Sequence, residues 1–335
     1  MKLKLILLAL TLLFRMPTVL YAQYNTDEKR ANFYLEISRQ YAPAAFEILS
    51  SDDKKQFTVY AHGAQTAKEL MTHYGTAVHE ACHGYNFYTG VKSGWGREGY
   101  FITTGIKIDA PKGNFFPSTK LNNVVPQDVQ KKIFRYSTYV SGESNNQSTT
   151  EGVYGFLNEF SAYYHGVRAD YEMMPYYETV CSYSDAKCWI ESYLSQLQSD
   201  VYAYYEFRLF IAWYLLYAEQ REQKVYADLM ANQNVRVAYT LLDDLFKKQV
   251  DDYFSMRKKL VDKLTTAGNT IELSNEFIYI VTKSGSSSSK TGTGLPDDDI
   301  AYLKALYTNK ENSMLEKFRI RGVTLENYKE FLEKK

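Results

Sequence analysis

The sequence predicts a mainly α-helical protein of the α+β class. Apolar residues recur with helical spacing over long stretches of the C-terminal half, at 186–222 and 235–264. Strand-like alternation of apolar and polar residues, with glycine and proline as punctuation, is confined to short stretches at 56–62, 94–118 and 272–281. We therefore expect helices to form the core of the 335-residue chain and the strands to build small sheets.

The first 22 residues have the pattern of a signal peptide. Two lysines precede an apolar run at 5–14, and Ala22 stands at a position compatible with cleavage. The run is too short to span a membrane, so we predict removal on export and a periplasmic or secreted protein; an uncleaved anchor is the alternative. The most apolar later segment, 207–218, is short and contains Arg208, so it is expected to be a buried helix.

Charge and cysteine usage fit an exported protein without nucleic-acid partners. The chain has 39 Lys and Arg against 39 Asp and Glu, and loss of the leader leaves 36 basic residues against the same 39 acidic ones. In an oxidising compartment Cys181 and Cys188 are expected to form a local disulfide. The third cysteine, Cys82, is expected to be a small buried residue.

The segment His79-Glu80-Ala81-Cys82-His83 predicts a zinc site on a helix that we expect from about 64 to 87. Residues four apart lie on one face of a helix, so His79 and His83 can offer ring nitrogens to one ion. Glu80 lies about 100° around the helix from His79, where it can reach a water without binding the metal. Two histidines and one further carboxylate would leave a fourth position for water, as in catalytic zinc sites.

The stretch between this helix and the next is predicted to be short elements and turns. Residues 94–118 are expected to form strands and turns, and a short helix is expected after Pro126 within 125–140. The polar stretch 141–150 is expected to be a loop over a cleft.

A second helix, predicted over 151–171, carries our choice for the third ligand, Glu159. Small residues recur around it at spacings of three and four, at Gly152, Gly155, Ala162 and Gly166. Such a stripe lets another helix approach closely, which a short carboxylate needs in order to reach a zinc ion at about 2.0–2.2 Å. The main rival is Glu151, eight residues earlier, and the remaining candidates are Glu98, Glu143 and Asp170.

Beyond residue 176 the chain is predicted to be helical, with a dense set of aromatic residues at 202–217 that we expect in the core. Residues 272–281 alternate like a strand. The Ser- and Gly-rich stretch that follows is expected to be a flexible linker or loop, and a small helical tail closes the chain.

These residues resemble the zincin metallopeptidases, specifically the gluzincin type. The matching positions are His79, Glu80 and His83 in the first motif, and 158–162 (NEFSA), with Glu159 as the ligand, in the second. The resemblance implies that Glu80 activates a zinc-bound water for attack on a peptide carbonyl, and that the predicted strand at 56–62 aligns an extended substrate. The match departs from the family in two ways, because Glu159 lies 76 residues after His83 and Tyr163 stands where an aspartate is frequent.

An oxyanion stabiliser is also expected, because the tetrahedral intermediate places negative charge on the former carbonyl oxygen. Tyr163 lies one turn beyond Glu159 on the same face and is our first choice. Tyr154 and His165 are the alternatives.

With this resemblance the chain divides into five predicted parts. These are a signal peptide at 1–22, a zincin-like catalytic region with a small sheet and two facing helices at 23–175, a helical region packed on it at 176–282, a flexible linker or loop at 283–296 and a helical tail at 297–335.

The predicted function is that of an exported Zn²⁺-dependent metallopeptidase acting on peptide or protein substrates. One alternative is a non-catalytic binding protein on a degenerate metallopeptidase scaffold. Glu80 argues against it, because a purely structural metal site needs no general base beside its ligands. A second alternative is a tyrosine-rich interaction protein that holds no metal.

Overall fold

The protein is mainly α-helical, as predicted. The computed structural model describes residues 24–52, 55–143, 146–284 and 286–332, in which helices predominate and the strands form two small antiparallel sheets. The predicted signal peptide lies outside the described residues. Within the described ranges, every helix is too short or too polar to be a candidate membrane span.

The N-terminal part is entirely helical, and the prediction of a strand at 56–62 is wrong. The burial pattern explains the error, because the buried residues are Phe57, Thr58 and Ala61, whose spacing is helical rather than alternating. The elements are α1 (Asp27–Tyr41), α2 (Pro43–Ser50), a 3₁₀ helix (Gln56–Ala61) and α3 (Ala67–Met71).

The motif helix is α4 (Tyr74–Ser93). It starts later than predicted, because α3 has its own capping box between Thr66 and Glu69 and ends before His73. It ends at Gly94, whose φ of 134° is strained for any side chain.

The predicted strands at 94–118 are confirmed as a hairpin of β1 (Arg97–Thr103) and β2 (Ile106–Pro111). Gly99 of β1 lies against Gly90 of α4 so closely that a Cβ on Gly90 would stand 2.8 Å from the Gly99 nitrogen. The hairpin can therefore pack flush on the motif helix only with glycine at this crossing.

Residues 118–151 form short helices, and the prediction of a loop at 141–150 is wrong in its second half. A short helix was expected after Pro126 and is present. Asn146 caps the unexpected helix by accepting a hydrogen bond from the Thr149 amide. The elements are a 3₁₀ helix (Ser118–Asn123), α5 (Gln127–Lys132), α6 (Tyr136–Tyr139) and α7 (Gln147–Glu151).

The facing helix is α8 (Val153–Glu172), which runs antiparallel to α4 through the centre of the molecule. The expected close approach occurs at Gly166, where a Cβ would stand 2.9 Å from the Gly75 carbonyl oxygen and 3.3 Å from the His79 Cβ. Gly155 serves another contact, because its Cβ would overlap the backbone of Ser148 in α7. Gly166 of the small-residue stripe thus allows α8 to pack closely on α4, whereas Gly155 allows α7 to pack closely on α8.

The predicted helical region after residue 176 is confirmed, and its aromatic side chains form core. Phe207, Phe210 and Tyr214 are fully buried. The predicted Cys181–Cys188 disulfide is present. The elements are α9 (Met174–Val180), α10 (Ala186–Cys188), a π-helix (Trp189–Leu194), α11 (Ser195–Val201), α12 (Ala203–Arg221), α13 (Gln223–Ala231) and the long α14 (Gln233–Thr266).

A second antiparallel sheet, in the order β3-β4-β5, follows the long helix. The strand predicted at 272–281 spans parts of β3 and β4, which a turn divides. The segment predicted as a flexible linker instead contributes β5, whose serines and threonines pair with β4 along its whole length. The elements are β3 (Ile271–Leu273), β4 (Phe277–Ser284), β5 (Ser287–Gly294), and the tail helices α15 (Asp297–Leu306), α16 (Asn309–Phe318) and a 3₁₀ helix (Tyr328–Phe331).

Candidate metal centre

The structure brings His79, His83 and Glu159 together between α4 and α8. The two Nε2 atoms of the histidines lie 3.1 Å apart. The Glu159 Oε2 atom lies 3.3 Å from the Nε2 of His83 and 3.6 Å from that of His79. His79 and Glu159 are buried and His83 is half-buried, so the three polar atoms face one small space.

The spacing and chemistry of these atoms fit a zinc ion. Ligand atoms at about 2.0–2.1 Å from a tetrahedral zinc stand about 3.3–3.4 Å from one another, which is close to the three observed separations. Glu159 Oε2 is buried, and its polar neighbours among the described residues are the two histidine nitrogens. A buried carboxylate oxygen of this kind costs free energy unless a cation or a donor reaches it.

Asn158 fixes the orientation of the His83 ring. The Nδ1 atom of His83 lies 2.9 Å from Asn158 Oδ1, which also accepts a hydrogen bond from the Asn86 side chain. Because Asn158 Oδ1 can only accept, Nδ1 carries a proton, and loss of the second proton from Nε2 would leave that nitrogen's lone pair free to bind an ion. Outer partners of this type hold ligating histidines in place.

The remaining bonds of Asn158 lead into a buried polar network, which includes two of the rival ligands. Its Nδ2 atom donates to Glu98 Oε1 at 2.9 Å and to Gln147 Oε1 at 2.7 Å. Lys112 then pairs with Glu98 at 3.2 Å and with Glu151 at 3.0 Å. Glu98 and Glu151 therefore form ion pairs with Lys112 and do not contact the histidines.

The position of Glu151 follows from a break in the predicted second helix. Gly152 has a φ of 59°, and this separates α7, which contains Glu151, from α8, which contains Glu159. The other rivals also lie elsewhere: Asp170 contacts Gly75 at the start of α4, and Glu143 is exposed between α6 and α7.

The two histidines differ in their affinity for a proton. Burial and the charges of His83 and Arg135 hold the pKa of His79 well below its usual value. Burial also lowers the pKa of His83, but the charge of Glu159 and hydrogen bonds to Glu159 and Asn158 outweigh it and raise that pKa to about 9. His83 is therefore the protonated ring near neutral pH.

Zinc binding should release this proton. Because the pKa of His83 is raised to about 9, zinc at pH 7 must displace one proton, and the apparent affinity should rise about tenfold per pH unit until that pKa is passed. Calorimetric titration with zinc at pH 7, in buffers of different ionisation enthalpy, measures the protons released. A release close to zero would contradict this assignment.

Removal of the Asn158 side chain should weaken zinc binding while leaving all three ligands in place. Asn158→Ala frees the His83 ring to rotate, so we expect about a 10- to 100-fold loss of affinity in competition with a chelator. The matched control is Ser161→Ala on the same helix, whose hydroxyl donates to the Phe101 carbonyl and contacts no ligand. Equal losses in the two variants would show that the effect comes from the helix rather than from the ring.

Glu80 lies beside this centre and lines an open cleft. Its Oε2 atom accepts a hydrogen bond of 3.2 Å from the hydroxyl of Tyr60. Burial raises the pKa of the Glu80 carboxyl, and the charge of His83 and the Tyr60 bond reduce the rise without cancelling it. A carboxylate with a raised pKa is a better proton acceptor than an ordinary surface glutamate.

Of the predicted oxyanion stabilisers, only Tyr163 contacts a ligand. Its ring packs edge-on against His79 at a centroid distance of 4.4 Å, and its hydroxyl lies 3.0 Å from that of Tyr139. The hydroxyl of Tyr154 accepts a bond from the Gly113 amide, and His165 bonds to the Phe101 carbonyl. Tyr154 and His165 are therefore structural.

Sequence reasoning missed three residues near the centre: Asn158, Tyr60 and Arg135. The guanidinium of Arg135 lies 4.4 Å from the ring centre of Tyr163 and pairs at 2.7 Å with both Glu206 and Asp200. Asn158 belongs to the matched segment 158–162, but no role was predicted for it. Cys82 is buried and lies 3.8 Å from the Ser161 hydroxyl, as its predicted role as a small core residue requires.

Comparison of the chain with protein-family models, with curated proteins and with solved structures finds no match.

Proposed function

We propose that this protein is an exported zinc metallopeptidase whose metal site is of the gluzincin type. The observation that carries the proposal is the convergence of His79, His83 and the buried Glu159 oxygen, with Glu80 next to the two histidines on α4. A closed structural site would use a fourth protein ligand, whereas three ligands leave room for a water.

The metal ligands and Glu80 have different roles in the proposed hydrolysis. A zinc ion held by His79, His83 and Glu159 would acidify a water and polarise the peptide carbonyl. Glu80 takes the proton from the attacking water and delivers it to the leaving amine, which then departs as the peptide bond breaks. Tyr60 holds one carboxylate oxygen of Glu80 and leaves the other to accept the proton.

Tyr163 is our candidate for stabilising the developing oxyanion, because it is the predicted stabiliser that touches a ligand ring. Its ring also lies under the buried cation of Arg135, which favours negative charge near the hydroxyl. Donors placed beforehand in a water-poor site stabilise such charge most effectively.

Substrate alignment differs from what the gluzincin resemblance implies. The predicted aligning strand is a 3₁₀ helix, and backbone groups on both outer edges of the β1–β2 hairpin are bonded to side chains of the protein. The Phe101 amide of β1 donates to Asn86 at 2.8 Å, and Asn234 of α14 donates to the Asp109 carbonyl of β2 at 2.8 Å. A substrate must therefore be held mainly through its side chains rather than by added strand pairing.

The experiment that tests the function is hydrolysis of casein by the purified chain loaded with zinc. We expect cleavage that stops when a chelator removes the metal and returns when zinc is added back. A chain that binds zinc but cuts neither casein nor a peptide library would overturn the proposal.

A further inference from the structure

An open cleft of about 480 Å³ runs beside the motif helix and begins at Glu80. One wall is a face of α4, where Glu80, Gly84 and Tyr88 follow one another at spacings of four. The other wall is the segment around the 3₁₀ helix, including Phe57 and Tyr60. The volume falls within the range of pockets that bind small ligands or side chains.

Four aromatic residues line the cleft: Phe57, Tyr60, Tyr85 and Tyr88. Tyr60 and Tyr88 are 41% and 55% exposed, so each has a ring surface that the fold leaves uncovered. Tyr85 also lines the cleft, and its hydroxyl is held 3.0 Å from Glu47, which fixes the ring. Rings held in this way on two walls favour an aromatic guest, because aromatic pairs gain from edge and stacked contacts.

The acidic side chains among the described residues of the cleft, Asp27, Asp52 and Glu80, have partners within the protein, and the remaining charged residue in that lining is a cation, Lys55. Asp27 accepts from Arg30 at 2.8 Å, and Asp52 accepts from the Phe57 amide at 3.3 Å. Glu80 is held by Tyr60. The cleft therefore offers little charge to select a cationic side chain.

Gly84 lies next to these rings on the face of α4 that lines the cleft. Glycine is disfavoured in a helix interior, yet here a Cβ would meet no described atom within 4 Å. The missing side chain leaves free space one turn from Glu80.

We propose that this cleft is the subsite that receives an aromatic side chain of the substrate beside the bond to be cut, so that the enzyme selects peptides containing Phe, Tyr or Trp. The inference rests on the proposed function, because the cleft is a substrate subsite only if Glu80, which lines it, is the general base. Burial of one aromatic side chain should raise kcat/KM by about 10- to 100-fold over alanine at the same position.

The test uses Gly84→Leu, which fills the space while keeping a good helix former in the helix. Casein cleaved by the zinc-loaded parent is analysed by mass spectrometry, and the best site is made as two peptides that differ only by Phe or Ala. We expect cuts within about two residues of an aromatic side chain, a preference for the Phe peptide in the parent, and loss of that preference in Gly84→Leu. Trp95→Ala removes an aromatic side chain that is 93% exposed and lies outside the cleft, so it should keep the preference.

A binding measurement separates failure of this inference from failure of the proposed function. Two fluorescein-labelled alanine-rich decapeptides, one with a central Phe and one with Ala there, are titrated with the zinc-loaded parent and Gly84→Leu. Tighter binding of the Phe peptide by the parent alone supports the subsite, even if casein is not cut. Equal binding of the two peptides by the parent, or an unchanged preference in a folded Gly84→Leu, overturns it.

Discussion

Glu80→Gln should keep the zinc ion and the fold yet lower the rate of peptide hydrolysis by about 10²–10⁴-fold, because it removes the general base. Glutamine is nearly isosteric, and its carbonyl oxygen can still accept the Tyr60 hydrogen bond, so the cleft should stay intact. What it cannot do is take a proton from the attacking water. The loss should therefore appear in kcat rather than in peptide affinity.

The measurements are kcat and KM on a casein-derived peptide, with zinc content determined on the same samples. Glu28→Gln, which changes an exposed carboxylate on α1, is the matched control and should retain full activity. If Glu80→Gln were as active as its parent while holding the same amount of zinc, the proposed mechanism would be excluded.

Local spacing was sufficient to predict that His79, His83 and Glu159 lie together. The separation of four between His79 and His83 places both rings on one face of any regular helix, whatever surrounds it. Glu159 was chosen because small residues let α8 approach α4, and the contact of Gly166 with Gly75 and His79 is an approach of that kind. Asn158 could not be derived in the same way, because its partner His83 is remote in the chain and hydrogen-bonding networks leave no periodic trace.

The elements that were predicted wrongly are those where a short pattern allows two structures. Six residues at 56–61 are too few to distinguish strand-like alternation from a helical turn in the sequence. In the structure the buried residues are Phe57, Thr58 and Ala61, and this spacing is that of a helical turn. Residues 287–294 carry a composition typical of linkers, yet pairing with β4 supplies backbone hydrogen bonds that the composition does not reveal. The break at Gly152 was also missed, since a single glycine is compatible with a continuous helix.

Glu159→Ala should abolish stable zinc binding, whereas Glu151→Ala should leave the ion in place. Glu159 supplies the only carboxylate oxygen near both histidine nitrogens among the described residues, so its loss leaves two ligands. The zinc affinity of Glu159→Ala should fall by more than the roughly 10- to 100-fold expected when a residue that only orients a ligand, such as Asn158, is replaced. Glu151 instead pairs with Lys112 and Gln147, and its shortest hydrogen-bonded connection to the His83 ring runs through Gln147 and Asn158.

The most direct measurement is the zinc content of the purified chain after equilibration with zinc and passage through a desalting column. We expect one zinc ion per chain in the parent and in Glu151→Ala, and none in Glu159→Ala. A parent that retains no zinc, or a Glu159→Ala variant that retains as much as the parent, would contradict the metal centre on which the proposed function depends.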